Sequence, residues 1–91
     1  MKEILRNIEK IIEKYNLDIP LYRAIDKTGY RLHKRGINEE EKVKIMSSLL
    51  TLLIDEVIDK LSELREEAAE REDDKKEDEI IEDINFLVDL F

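Results

Sequence analysis

The residues that could do chemistry in this chain are mostly carboxylates. Glu56-Val57-Ile58-Asp59 and Glu79-Ile80-Ile81-Glu82 each set two acids three residues apart. On a helix that spacing turns both onto one face, and two such helices facing each other can hold Mg²⁺ through oxygen ligands. With 24 acidic residues in 91, however, roughly six pairs at this spacing arise by chance, so the pattern alone does not mark a site. His33 is the only imidazole. It stands beside Lys34 and Arg35 on a charged stretch and reads as a surface residue. Ser47, Ser48 and Thr51 have no His or Lys placed as a base. Their hydroxyls are expected to bond back to carbonyls one turn earlier.

Three stretches resemble known motifs. Region 54–91 resembles the paired acidic motifs of the all-α nucleoside triphosphate pyrophosphatases, which implies a Mg-dependent hydrolase using Glu56, Asp59, Glu79 and Glu82. It departs from them at Asp83, where those enzymes have an apolar core residue, and it offers no aromatic or basic set for a nucleotide. His33, followed by Lys34 and Gly36, resembles the acceptor site of phosphotransfer domains. There the Lys and Gly stand three and four residues on; here they stand one and three. The terminal Leu87-Val88-Asp89-Leu90-Phe91 resembles the short peptides that plug into DNA sliding clamps and end in Leu-Phe, but Leu87 takes the place of their leading Gln. The buried face of a terminal helix explains the same spacing.

Composition removes other classes. The chain has no Cys, so thiol catalysis, disulfides and zinc–cysteine sites are excluded, and the absence fits a cytoplasmic protein. No window is apolar enough for a membrane span. The first fifteen residues alternate charged and apolar side chains, unlike a signal peptide. Thirteen Ile, abundant Lys and Glu and no Gln lean towards a thermophile, although an AT-rich genome would enrich Ile and Lys as well. No metal or cofactor is expected.

The elements that position these residues are helical. With two Gly and one Pro, punctuation is sparse. Ile4, Ile8, Ile11 and Tyr15 predict a helix over 2–16. Pro20 suits the first turn of a second helix, 20–34. Gly29 falls on its apolar face, which predicts a close helix crossing there or an early end, and Gly36 is the stop signal. Asn38 and Glu41 form a capping-box-like start to a third helix. Its apolar arc is wide from Val43 to Ile58, predicting a half central to the core. Beyond Leu61 the arc narrows to Leu64, Ala68 and Ala69, predicting a half mostly solvated. Over 39–72 this helix would run about 51 Å, against about 32 Å for the diameter of a compact chain of this size. Composition places the following turn at 73–76, with Asp74 and Glu77 capping a fourth helix that carries Ile80, Ile84, Leu87 and Phe91.

Charge divides along the chain. Residues 1–61 hold 12 basic and 11 acidic side chains, net +1; residues 62–91 hold 4 and 13, net -9; together these give the total of -8. The expected organisation is one domain, a near-neutral bundle core over 1–61 and an acidic helical arm over 62–91. Arg23, Lys27, Arg31 and Arg35 step along the second helix with Tyr30 and Lys34 beside them. Such a stripe can be a solvated face. It can also bind phosphates, with the tyrosine stacking on an unpaired base, but a net charge of -8 and a pI near 4.7 oppose nucleic acid.

These readings predict an all-α bundle of about four helices. A long third helix extends beyond it, and a C-terminal helix folds back or is exchanged with a partner chain. The expected function is that of a small acidic, non-enzymatic accessory or regulatory subunit working by protein contact and self-association. The expected contact residues are Leu61, Leu64, Ala68, Ile80, Ile84, Leu87, Leu90 and Phe91. The alternative is a nucleic-acid-associated factor in a replication or transcription complex, using Arg23, Lys27, Tyr30, Arg31, Lys34 and Arg35.

Overall fold

The computed structural model describes residues 2–90. It is an all-α bundle of four helices: α1 (Lys2–Lys14), α2 (Pro20–Lys34), α3 (Glu39–Glu70) and α4 (Asp74–Val88). No helix among the described residues is long and apolar enough to cross a membrane. The molecule is a rod of 52 × 22 × 16 Å. The 32 residues of α3 supply most of that length, about 48 Å at 1.5 Å per residue. The radius of gyration is 15.1 Å, where a compact chain of this size would have about 12 Å.

Each helix start has a local cause. Pro20 opens α2, where its missing N–H has no carbonyl to serve. The Asn38 side chain accepts a hydrogen bond from the Glu41 N–H at 2.9 Å, satisfying one free amide of α3. Asp73 does the same for Lys76 at 3.2 Å. The cap of α4 is therefore Asp73 rather than Asp74, and the turn lies two residues earlier than composition suggests.

Each of the first three helices ends by one shared device. A residue in the left-handed region follows the last turn: Asn16 (φ 51°), Gly36 (φ 68°) and Glu72 (φ 57°). The next amide then reaches back five residues: Leu17 to the Ile12 carbonyl, Ile37 to Leu32, Asp73 to Ala68. This is the Schellman closure, which satisfies carbonyls left open at a helix end. Gly29 does not end α2 early; the helix continues to Lys34. A Cβ built on it would meet the Met46 side chain at 3.6 Å, so the crossing of α2 and α3 leaves room for a methyl group.

The core is continuous through all four helices. Ile8, Ile11 and Ile12 of α1, Ile19 of the first turn and Ile25 of α2 are buried with Leu53, Ile54, Val57, Leu61 and Ala68 of α3 and with Ile80 and Leu87 of α4. Within the half of α3 expected to be central, Leu53, Ile54 and Val57 are buried while Val43, Ile45 and Leu52 stay exposed, and beyond Leu61 only Ala68 is buried, as expected of a mostly solvated half. Its buried residues begin at Leu53 and continue to Ala68, and no residue described in 27–52 is buried. The reason is reach. α4 turns back at 71–73, and its 15 residues cover only about 22 Å of α3. The opening stretch of α3, 39–52, lies beyond it. The start of the long helix is therefore covered by α2 alone, with Met46, Leu49 and Leu50 half-buried against the core, while its acidic end is roofed by α4.

Candidate functional site

α4 lies along α3 in the same chain. Of the expected contact residues, Leu61, Ala68, Ile80 and Leu87 are buried in this seam, and Leu64, Ile84 and Leu90 are half-buried against the same core. Phe91 lies outside the described residues. A partner could meet the four buried side chains only by displacing α4. The apolar side chains that stay open on this helix are Phe86, 41% exposed, and Val88, 49% exposed, which project about 160° apart around its axis.

Phe86 borders a shallow cleft of about 280 Å³ between α1 and α4, lined by Asn7, Lys10, Ile11, Lys14 and Asp83. One end of the cleft is a polar clamp. Lys14 Nζ pairs with Glu79 Oε1 at 2.7 Å and with Asp83 Oδ2 at 3.0 Å, and the Tyr15 hydroxyl donates to the same Asp83 oxygen at 2.5 Å. The hydrogen bonds to Glu79 and then to Asp83 hold the Lys14 ammonium protonated well above its ordinary range. Burial first, then donation to Asp83, pushes the Tyr15 hydroxyl up to about 12. A lysine so held is no general base or nucleophile at neutral pH. What the arrangement does is fix the end of α1 to α4.

The paired carboxylates do not assemble. Among the described residues, no group of three or more His, Cys, Asp or Glu side chains comes together to hold a metal ion. Glu79 is engaged by Lys14, while Asp59 and Glu82 face solvent. A second depression of about 260 Å³ lies between α3 and α4 near Ser62, Ala69 and Glu77, with Arg65 Nε 3.8 Å from Glu77 Oε1. Two of the three hydroxyls of α3 bond back as expected: Ser48 donates to the Lys44 carbonyl and Thr51 to that of Ser47. His33 is exposed.

The cationic residues do share a face. Arg23, Lys27, Tyr30, Arg31 and Lys34 fall within about 100° of arc on α2, opposite the buried Ile25. All of them, and Arg35 at the helix end, are exposed, and Lys34 Nζ lies 5.4 Å from the centre of the Tyr30 ring.

Two apolar features were not singled out by residue pattern. Phe86 stands about 120° away from the Ile80–Ile84–Leu87 stripe, a phase error visible in the sequence. Ile45 and Leu52 stay 38% and 56% exposed on a flank of α3 hidden within its wide apolar arc. Comparison with models of known families, with curated proteins and with solved structures finds no match to this chain.

Proposed function

We propose that this chain is a small acidic accessory subunit, without enzymatic activity of its own, that works by protein contact through its C-terminal helical arm. The observation that carries the reading is the open apolar surface of α4, above all Phe86 at the cleft beside α1. Phe86 and Val88 are open on a segment of net charge -9 over 62–91. Isolated exposed apolar residues are common on any protein. Phe86, bordering the cleft between α1 and α4 in a strongly acidic field, suits a partner that offers an apolar side chain flanked by Lys or Arg. The protonated Lys14 and the dispersed carboxylates support a role outside catalysis.

The test is capture of partners from the native host with the wild-type chain and two variants. Phe86→Glu with Val88→Glu should abolish capture. Arg23→Glu with Lys27→Glu and Arg31→Glu should leave it intact. Capture that survives the first pair overturns the α4 flank as the contact.

A second reading is favoured by the exposed arc of cations and Tyr30 on α2. In it, the chain associates with nucleic acid, the cations meeting phosphates and the ring stacking on a base. A gel-shift titration at low salt decides it: binding lost in the triple Glu variant supports this face, and unchanged binding rules it out.

A further inference from the structure

One surface remains outside both readings: the flank of α3 over its first half, beyond the reach of α4 and to the side of the face that α2 covers. Lys42, Ile45, Leu49, Leu52 and Glu56 follow one another at steps of three, four, three and four. That is the heptad spacing of a helix that pairs with another helix along a seam. Ile45 and Leu52 are exposed, and Leu49 is half-buried at the edge of the core. Three apolar layers are thus closed at one end by a cation and at the other by an anion, over about 21 Å of helix.

We propose that this seam pairs with a second copy of the chain, the two α3 helices running antiparallel and centred on Leu49. In that register Leu49 meets its own copy, Lys42 stands level with the partner's Glu56, and Ile45 lies about 1.5 Å along the axis from the partner's Leu52, close enough to pack against it. The two-fold axis repeats each contact, as an isologous interface requires. A parallel pairing would set Lys42 against Lys42 and Glu56 against Glu56, so the charges select the antiparallel arrangement.

The wider charge distribution agrees. Residues 20–54 carry seven cations and four anions, net +3; residues 55–91 carry five and sixteen, net -11. An antiparallel pair brings the cationic end of each rod towards the acidic end of the other. Surface area agrees as well. The chain exposes 6730 Å², whereas a compact monomer of its mass exposes about 5,600 Å². That excess is enough to supply the roughly 800 Å² that each partner contributes to a stable interface. The inference rests on the proposal that the chain acts by protein contact, but not on what the α4 flank binds.

Sedimentation equilibrium from about 1 to 100 µM is the test. The wild-type chain should show a reversible dimer mass. Lys42→Glu alone, or Glu56→Lys alone, should weaken dimerisation at least about tenfold. The two reversals combined in one chain should restore it, since opposite charges then face each other again. Circular dichroism should show unchanged helicity, because neither position is buried. Leu49→Cys, carrying the only thiol, should oxidise to a covalent dimer. A monomer mass throughout, single reversals without effect, a double variant no better than the singles, or a thiol at position 49 that stays unlinked would each overturn the seam. A monomer that still captures a partner through Phe86 would refute this pairing alone. A dimer that captures none would refute the α4 contact alone.

Discussion

Tyr15 at the end of α1 donates its hydroxyl proton to Asp83 in the middle of α4, at 2.5 Å and across 68 residues of sequence. Lys14 reaches the same carboxylate and the neighbouring Glu79. The contact closes the bundle where no turn joins its helices, linking the first helix to the last. Its apolar backing comes from Ile11 and Ile12, buried one turn away.

This clamp makes stability depend on alkaline pH. Tyr15 has an ordinary value of 10.0 and is pushed up to about 12 in the folded chain. Between those values the folded chain binds the proton that the unfolded chain has lost, so stability falls as pH rises through the window. The contribution is complete below pH 10. In Tyr15→Phe the urea midpoint should be lower than in the wild type at pH 7, and the gap should shrink by pH 12. The difference should be up to about 2 kcal/mol. A gap that stays constant with pH would mean that the hydroxyl is not held as described. Lys14 is raised in the same direction, but its half-exposed position limits what it adds.

The placement of the core predicts a contrast along α3. Leu61→Ala and Ile80→Ala remove fully buried side chains and should each cost about 2–5 kcal/mol of unfolding free energy. Val43→Ala, although in phase with Leu61 on the helix, changes a 51% exposed residue and should stay within about 0.5 kcal/mol. Chemical denaturation of the three variants measures it directly. Equal losses at Val43 and Leu61 would place the core at the wrong end.

The helix ends predict opposite signs for glycine. Glu72→Gly relieves a left-handed residue at φ 57° and should stabilise the chain by about 1 kcal/mol. Gly36→Ala puts a Cβ at φ 68° and should destabilise it by a similar amount, about 1 kcal/mol. Gly29→Ala meets only ordinary contact with Met46 in mid-helix and should gain about 0.5–1 kcal/mol. Asp73→Ala removes the cap of α4 and should cost about 1 kcal/mol. Thermal melts of the four variants give the signs.

Much of the fold is legible in residue spacing. The i, i+4 stripe of α1, Pro20 at the start of α2, Gly36 at its end and the Asn38 cap each act within a few residues, and each stands where local chemistry puts it. The turn after α3 is harder to read, because Glu72 takes a conformation that Gly or Asn adopts more readily. Burial along α3 is hidden for another reason. The apolar arc from Val43 to Ile58 is wide enough to face several neighbours, and only the packing of α1, α2 and α4 against it decides which part is covered. The expected contact residues illustrate this: Leu61 and Ile80 have the pattern of a docking stripe, and the chain's own α4 and α3 fill it. Phe86 could have been found from its phase on α4, whereas the exposure of Ile45 and Leu52 follows only from tertiary reach.

Because α4 docks on its own chain, only outer flanks are left for partners, and one cross-linking measurement tests that docking directly. Equal amounts of ¹⁴N- and ¹⁵N-labelled chains are mixed after joint unfolding and refolding, then treated with a zero-length carbodiimide. Lys14 Nζ lies 2.7 Å from Glu79 and 3.0 Å from Asp83, so these residues should couple. If α4 folds back in cis, mass spectrometry will find the linked peptides of α1 and α4 either both light or both heavy. Light–heavy pairs making up about half of the product, the proportion random exchange of α4 between two chains would give, would contradict that arrangement and return the buried seam to the role of an intermolecular contact.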